Sequence, residues 1–412
     1  MAAQPSFRPE EIGVAMYRLS DRVCSIQESA TMAISARAAA MKRAGEDVIA
    51  MAAGEPDFAT PAHIATAAKE AIDAGFTRYT PAAGTPELRA AWAQHIGQQR
   101  GVTYRPDQII ITAGGKQAIW NIIYALVNPG DEVIIPAPYW VSYPEQVRSV
   151  GGVPVIIETI PEQEFKVTPA MLRRAITERT RLFILNSPSN PTGAVYTRDE
   201  LKGLAEVLVE KQVPVLSDEV YDALVYDVPF TSIASLGEDI YRLTIIVAAM
   251  SKTYAMTGWR IGCAVGPAEI IAAAARIQSH STSNPNSVAQ YASLIALQGD
   301  QSTVEMMRQE FDRRRRYMVE RLQAMPFMTC TRPQGAFYAF PRIAETFGRT
   351  YRGERIEGSM SFCRLLLEHE KVATVPGCEF GADAYMRLSY ATSMENIEKA
   401  LDRMERFLNQ LD

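Results

Sequence analysis

A chain of 412 residues with 42 basic and 47 acidic side chains carries a formal charge of −5, and 47% of its residues are hydrophobic. At ~150 residues per domain this predicts two to three ordinary globular domains, able to bury large cores without disulfide or metal staples. The mild acidity argues against nucleic acid or an anionic membrane as the main partner. Four scattered histidines (His63, His95, His280, His369) give no metal-ligand spacing, so zinc hydrolases and histidine-centred triads start badly.

Residues 1–50 read as a helical arm or helix followed by a short strand at 47–51. The first residues lack the apolar stretch of a secretory signal, and no run approaches the ~20 apolar residues that cross a bilayer. From about 105 to 265, short β-branched runs alternate with amphipathic stretches. The predicted strands are 108–112, 132–135, 153–157, 182–185, 213–216 and 243–247, near-continuous in hydrophobicity as parallel strands covered on both faces are. Between them, Leu201, Leu204, Val207 and Leu208 mark a helix face. Such alternation predicts βαβ units and a mostly parallel sheet. The run 261–266 follows too closely for a crossover helix and is predicted to be antiparallel. From about 304 a long charged helix leads to a strand pair near Met328 and 336–340, and Ala400, Leu401, Met404, Phe407 and Leu408 line one face of a last helix. The expected organisation is an arm and part of a small domain in 1–50, a large α/β domain in 51–303, and the rest of a small α+β domain in 304–412. The run Arg313-Arg314-Arg315-Arg316 is expected to be a solvated helix face with ion pairs. His280 and His369 are expected at the surface or an interface. Five widely separated cysteines, odd in number and without C-x-x-C, fit reduced thiols in a cytoplasmic protein.

Chemistry concentrates where predicted strands end, the edge at which α/β sheets bind ligands. Ser251-Lys252 follows one strand, with Arg260 shortly after; Lys252 is either a solvated loop lysine or a Schiff-base lysine in a partly dry pocket. Asp218 is either a helix cap or a carboxylate that pairs with a protonated ring nitrogen. Asn190, in Asn190-Pro191-Thr192-Gly193, belongs to a tight turn or hydrogen-bonds a phenolic oxygen. Gly114-Gly115-Lys116 opens a helix whose backbone N–H groups suit a phosphate, though a glycine pair alone is weak. Trp140 is core or a stacking platform. Taken together, these strand ends present the groups that pyridoxal phosphate needs.

With Gly54-Glu55-Pro56-Asp57-Phe58, Tyr79-Thr80-Pro81, Ser217-Asp218-Glu219-Val220-Tyr221, Gly258-Trp259-Arg260 and Arg387-Leu388-Ser389-Tyr390, the chain from about 25 to 410 resembles the fold-type I, class I aminotransferases, nearest the aspartate/prephenate branch. The resemblance implies an α/β fold-type I transferase acting as a homodimer with shared sites. It implies pyridoxal 5′-phosphate on Lys252, with Asp218 at the ring nitrogen, Asn190 and Tyr221 at the phenolic oxygen and Trp140 stacked on the ring. Gly114, Gly115, Lys116, Ser251 and Arg260 would hold the phosphate, joined by Tyr79 across the dimer. Arg387 and Gly54 would take the substrate α-carboxylate. In this branch Lys116 matches a lysine for the side-chain carboxylate and Thr31 a threonine associated with prephenate. The implied reaction is ping-pong transamination between an amino acid and a 2-oxo acid, with no metal. Lyases, decarboxylases and cyclases share the same first step and stay open, and an aminotransferase-like ligand sensor is a remote alternative. Ala249 stands where the family usually places glycine, which raises the expectation of a shifted backbone.

Overall fold

The computed structural model describes residues 17–26 and 30–412, with the side chains of 30–33 and 35 excepted. Its strands, in chain order, are β1 (Ile49–Ala50), β2 (Ile109–Thr112), β3 (Glu132–Ala137), β4 (Val153–Glu158), β5 (Thr180–Asn186), β6 (Val215–Asp218), β7 (Thr244–Ala249) and β8 (Gly262–Val265). They are followed by β9 (Tyr338–Ala339), β10 (Thr350–Tyr351), β11 (Glu354–Arg355), β12 (Val372–Ala373), β13 (Val375–Pro376) and β14 (Met386–Ser389). Seven of them form the central sheet in the order β2-β8-β7-β6-β5-β3-β4. β8 runs antiparallel to both its neighbours, while the pairs from β7 to β4 are parallel. The runs that read as strands between 105 and 265 are strands, with shifted ends. β6 begins at Val215 because Pro214 has no N–H to donate; its carbonyl instead accepts from Phe183 N at 3.0 Å.

Strands β2, β5, β6, β7 and β8 are almost wholly buried, covered by helices such as Gly115–Leu126 and Ala268–Ser281 on one face and Arg198–Lys211 on another part of the sheet. β4 departs from the expected two-sided burial. It is one of the two edge strands, and Val153 and Ile156 are 45% and 39% exposed, whereas β2 at the opposite edge is buried throughout. The helix Arg198–Lys211 starts with a capping box, Thr197 accepting from Glu200 N while the Glu200 carboxylate accepts from Thr197 N.

Both chain ends meet in a second core. β1 pairs in parallel with β12, and Ile49 and Met51 pack with residues from Met307 to Leu408, together with Tyr221 and Leu224. The strand pair expected near Met328 is replaced by another pairing: β9 joins β14, which in turn joins β13, and the Met328 segment touches Arg342 only through an isolated bridge at Thr329. The arginine run also differs from expectation. Arg313 and Arg316 are exposed, but Arg314 and Arg315 are 6% and 0% exposed. Both buried guanidiniums are paired with carboxylates: Arg315 donates to Asp227, Asp312 and the Pro333 carbonyl and lies 4.6 Å from the Tyr226 ring centre, while Arg314 bonds Asp57 and Glu310. The charged helix Ser302–Ala324 thereby buries its two central arginines alongside Met307, Phe311, Met318, Val319 and Leu322. His280 is exposed and His369 half-buried against Tyr351. Among the described residues no helix is long and apolar enough to cross a membrane.

Candidate active site

The ends of β2, β3, β5, β6 and β7 converge on a cavity of about 350 Å³. β2 ends at Thr112, and the chain turns through Gly114 at φ 82° into the helix Gly115–Leu126. No side chain caps that helix, so its first N–H groups face the cavity at the positive end of the helix dipole. The glycine is required twice over. Its φ suits glycine, and a Cβ there would lie 2.3 Å from the Arg260 guanidinium. Arg260 itself sits at φ 56°, an uncommon conformation for a residue with a side chain. Its guanidinium donates to the Thr257 carbonyl at 2.8 Å and the Ala113 carbonyl at 3.3 Å, which fixes it beside the glycine turn.

β7 delivers Ser251, buried, and Lys252, half-buried with its amine donating to the Gly54 carbonyl. Burial pushes the Lys252 amine down to about 8, opposed mainly by Glu55. Ala249, the last residue of β7, has φ −154° and ψ 149°, ordinary extended backbone that any residue adopts. β6 ends in Asp218, buried at 3% exposure, one oxygen of which accepts from the Tyr143 hydroxyl at 2.6 Å. Burial pushes this carboxyl up to about 6 despite that hydrogen bond. Tyr221 follows one turn later, its hydroxyl 2.8 Å from that of Tyr338.

After β5, Asn190 is buried; its side-chain oxygen accepts from Arg387 Nη1 at 2.9 Å, and its N–H donates to Asn186. Arg387, from β14 and 2% exposed, also donates to the Ala52 carbonyl, and its Nε has no partner among the described residues. Trp140 flanks the cavity, with the Lys116 amine 4.9 Å from its ring centre. Lys116 as a residue is exposed, but its amine is pushed down by desolvation and then by Arg260.

The structure thus brings Gly54, Gly115, Lys116, Trp140, Asn190, Asp218, Tyr221, Ser251, Lys252, Arg260 and Arg387 to one cavity, with Gly114 against Arg260 at its rim. Tyr79 lies apart from them, 91% exposed on this chain. Thr31 is in the first turn of the helix Ala30–Arg43, but its side chain lies outside the described residues. Sequence reading assigned no role to Tyr143, Asn186 or Tyr338. Tyr143 had a signal, three residues after Trp140 at the start of the helix Ser142–Ser149. Tyr338 had none, since 336–340 looks like an ordinary core strand.

These groups suit an anionic aromatic aldehyde. An open helix N-terminus with a fixed guanidinium takes a phosphate, a buried carboxyl suits a protonated ring nitrogen, and an amine lowered to about 8 attacks a carbonyl. The partnerless Nε of the buried Arg387 suits a substrate carboxylate. Fold and site together define a fold-type I pyridoxal-phosphate enzyme. The chain belongs to the aminotransferases of class I and II, whose family model matches residues 46–404. It is 46% identical to the aspartate aminotransferase of Geobacillus stearothermophilus, over 95% of this chain and 99% of that protein. It is 47% identical to the aspartate/prephenate aminotransferase of Cereibacter sphaeroides, over 94% and 98%. The crystal structure of the aspartate aminotransferase from Rhizobium meliloti superposes with a TM-score of 0.93 at 43% identity, covering 96% of this chain and all of that one. The Thermus thermophilus enzyme with maleate gives 0.90 at 44%, covering 95% and 100%. The protein is a pyridoxal-phosphate-dependent aminotransferase.

Proposed function

We propose that this aminotransferase exchanges the amino group of L-aspartate or L-glutamate with a 2-oxo acid such as 2-oxoglutarate, and that prephenate is a further acceptor. The carrying observation is that, besides Arg260 beside the glycine turn, two cations line one cavity with Lys252: the buried Arg387 and the amine of Lys116. A dicarboxylic substrate has one carboxylate for each. The names of the relatives favour the same substrates.

When bound, pyridoxal phosphate supplies an aldehyde carbon and a ring that accepts the electron pair left at the substrate Cα. The first helical N–H groups from Gly115, with Ser251 and Arg260, would hold its phosphate. Asp218 would hold a proton on the ring nitrogen through the carboxylate oxygen that Tyr143 leaves free. Asn190 and Tyr221 would bond the phenolic oxygen, and Trp140 would keep water from the ring face. The Lys252 Nζ carries the cofactor, is released when substrate arrives, and then moves a proton from Cα. An amine near 8 is partly neutral at physiological pH and can do so. Arg387 orients the α-carboxylate by a fixed two-pronged grip, which lysine could not provide. Because one acid must leave before the next enters, the kinetics are ping-pong.

We place Tyr79 at the phosphate of a second copy in a homodimer. Its 91% exposure on the single chain supports this, for a large aromatic ring is rarely left so open without a partner. Widely spaced cysteines, none paired among the described residues, support a cytoplasmic setting.

The test is a half-reaction: holoenzyme mixed with one amino acid at a time, followed by absorbance. Aspartate and glutamate should convert the pyridoxal form to the pyridoxamine form. Consumption of aspartate with the pyridoxal form unchanged would instead indicate a lyase or decarboxylase. Lys116→Ala should raise KM for aspartate more than for alanine, and equal effects would remove Lys116 from the substrate site.

A further inference from the structure

One buried side chain at this cavity has no role in the reaction as set out above. Tyr338, on β9 and 1% exposed, lines the cavity and makes two contacts at once. Its hydroxyl lies 2.8 Å from the Tyr221 hydroxyl, and the Arg387 guanidinium carbon lies 4.4 Å from its ring centre. Phe337 packs on it with ring centres 4.7 Å apart, and β9 pairs with β14, which bears Arg387. A Cβ on Gly54 would come within 3.3 Å of the Tyr338 hydroxyl, so that hydroxyl also adjoins the segment whose carbonyl the Lys252 amine meets.

We propose that Tyr338 is a positioning residue that couples the two ends of the site, holding the Tyr221 hydroxyl with its own hydroxyl and carrying the Arg387 guanidinium on its ring face. The proposal rests on the functional reading above, in which Tyr221 faces the cofactor and Arg387 the substrate. Either hydroxyl can donate in the Tyr221–Tyr338 pair. Once Tyr221 gives its proton to an anionic ligand oxygen, only Tyr338 can donate between them, and this makes Tyr221 the stronger donor. The ring contact acts on the other end. A guanidinium over a desolvated aromatic face is attracted to it and loses rotational freedom, so Arg387 presents its free Nε in one orientation.

The two functions separate by substitution. Tyr338→Phe removes one oxygen and keeps the ring; Tyr338→Leu removes the ring as well. The charged groups around the pair are Asp218 on β6, Arg387 on β14, Lys252 and Arg260 after β7, and Glu55 beside Gly54. Both variants leave all of these in place. In Tyr338→Phe the weakened Tyr221 donor stabilises the phenolate oxygen less, so the proton shared with the Lys252 nitrogen is held more tightly. The pH midpoint of the holoenzyme's visible absorbance change should rise by about half to one unit. KM for aspartate should stay within about twofold of wild type, since the stacking is retained. In Tyr338→Leu, KM for aspartate and for alanine should both rise about tenfold, because both carry the α-carboxylate.

An absorbance midpoint in Tyr338→Phe that coincides with wild type would overturn the coupling, as would an unchanged KM in a folded Tyr338→Leu. Should the leucine variant fail to fold, the phenylalanine variant alone decides through its midpoint. The control separates the two readings: if wild type neither takes up pyridoxal phosphate nor reacts with aspartate, the functional reading fails first. If wild type does both and the variants match it, only the role of Tyr338 falls.

Discussion

Behind the cavity, Arg100 closes the C-terminal turn of the helix Pro86–Arg100 with its guanidinium buried beneath the segment that bears Asp218 and Tyr221. Its Nε donates to Glu219 at 2.8 Å and its Nη2 to Asp222 at 2.6 Å. Glu219 is 1% exposed and also accepts from Ser217 at 2.9 Å and Ser232 at 2.6 Å. Burial holds the Glu219 carboxyl above its usual range even with Arg100 beside it. Arg100→Met keeps most of the volume and leaves that carboxylate with two hydroxyls and no cation. Breaking a buried pair from one side costs ~3–5 kcal/mol. At ~2.1 cal/mol/K per residue, a chain of 412 residues has an unfolding entropy near ~0.9 kcal/mol/K, so the loss amounts to a fall of roughly 3–6 °C in Tm. The double variant Arg100→Met with Glu219→Gln removes the stranded charge and should recover roughly half of that. Scanning calorimetry of the three proteins at one pH and scan rate measures both effects. A single variant melting within about 1 °C of wild type would refute the assignment of the pair as a stabilising clamp.

Three further outcomes follow from the same geometry. Since the Lys252 amine is pushed down to about 8 and must be neutral to attack an aldehyde, cofactor capture by the apoprotein should speed up about tenfold per pH unit below 8 and level off above it; a flat profile in stopped-flow absorbance would contradict this. The Asp218 carboxyl binds its proton near 6 when folded against an ordinary 3.8, so the native apoprotein loses stability as pH rises through that window. Asp218→Asn, whose amide oxygen can still accept from Tyr143, should therefore be more stable than wild-type apoprotein at neutral pH by ~1–3 kcal/mol, with the gap closing between pH ~6 and ~4; a gap independent of pH in urea titrations would exclude it, and the same variant should lose transamination. Gly114→Ala combines a positive φ with a collision against Arg260 and should weaken cofactor binding at least ~tenfold by spectroscopic titration, an unchanged Kd counting against the glycine turn as a phosphate site.

The legible part of this protein is what local sequence controls. Buried parallel strands announce themselves as β-branched runs, and ligand-facing residues follow them within a few positions because the open sheet exposes its strand ends. Lys252, Asp218 and the glycine turn at Gly114 could be singled out for that reason. What the sequence hides is pairing at a distance. Tyr143 meets Asp218 across 75 residues, Arg100 meets Glu219 across 119, and Tyr221 meets Tyr338 across 117. Beyond the nearness of Tyr143 to Trp140, nothing in the local sequence tells a buried tyrosine with a polar partner from one in a purely apolar core. The arginine run fails for the same reason. Four consecutive cations look solvated, yet Asp57 and Asp227, far away in sequence, provide the partners that let two of them go inside.

Ala249 shows how much a single methyl can mean at such a junction. Its backbone is extended and would accept any residue, so conformation does not demand glycine at the end of β7. The constraint is one of space among three neighbours. A Cβ on Gly262, the antiparallel partner of Ala249, would fall 2.6 Å from Gly115 N, and one on Gly115 would meet Val220 and Val247 at 3.3 Å and the Ala249 methyl at 3.7 Å. β7, β8 and the start of the helix Gly115–Leu126 approach this closely because Gly115 and Gly262 are bare, which leaves room for one methyl on the strand. That methyl lines the cavity beside Ser251, Lys252 and Arg260. The departure from the family's usual glycine therefore adds a methyl to the floor on which the phosphate would rest, while the backbone of Ala249 stays ordinary extended strand.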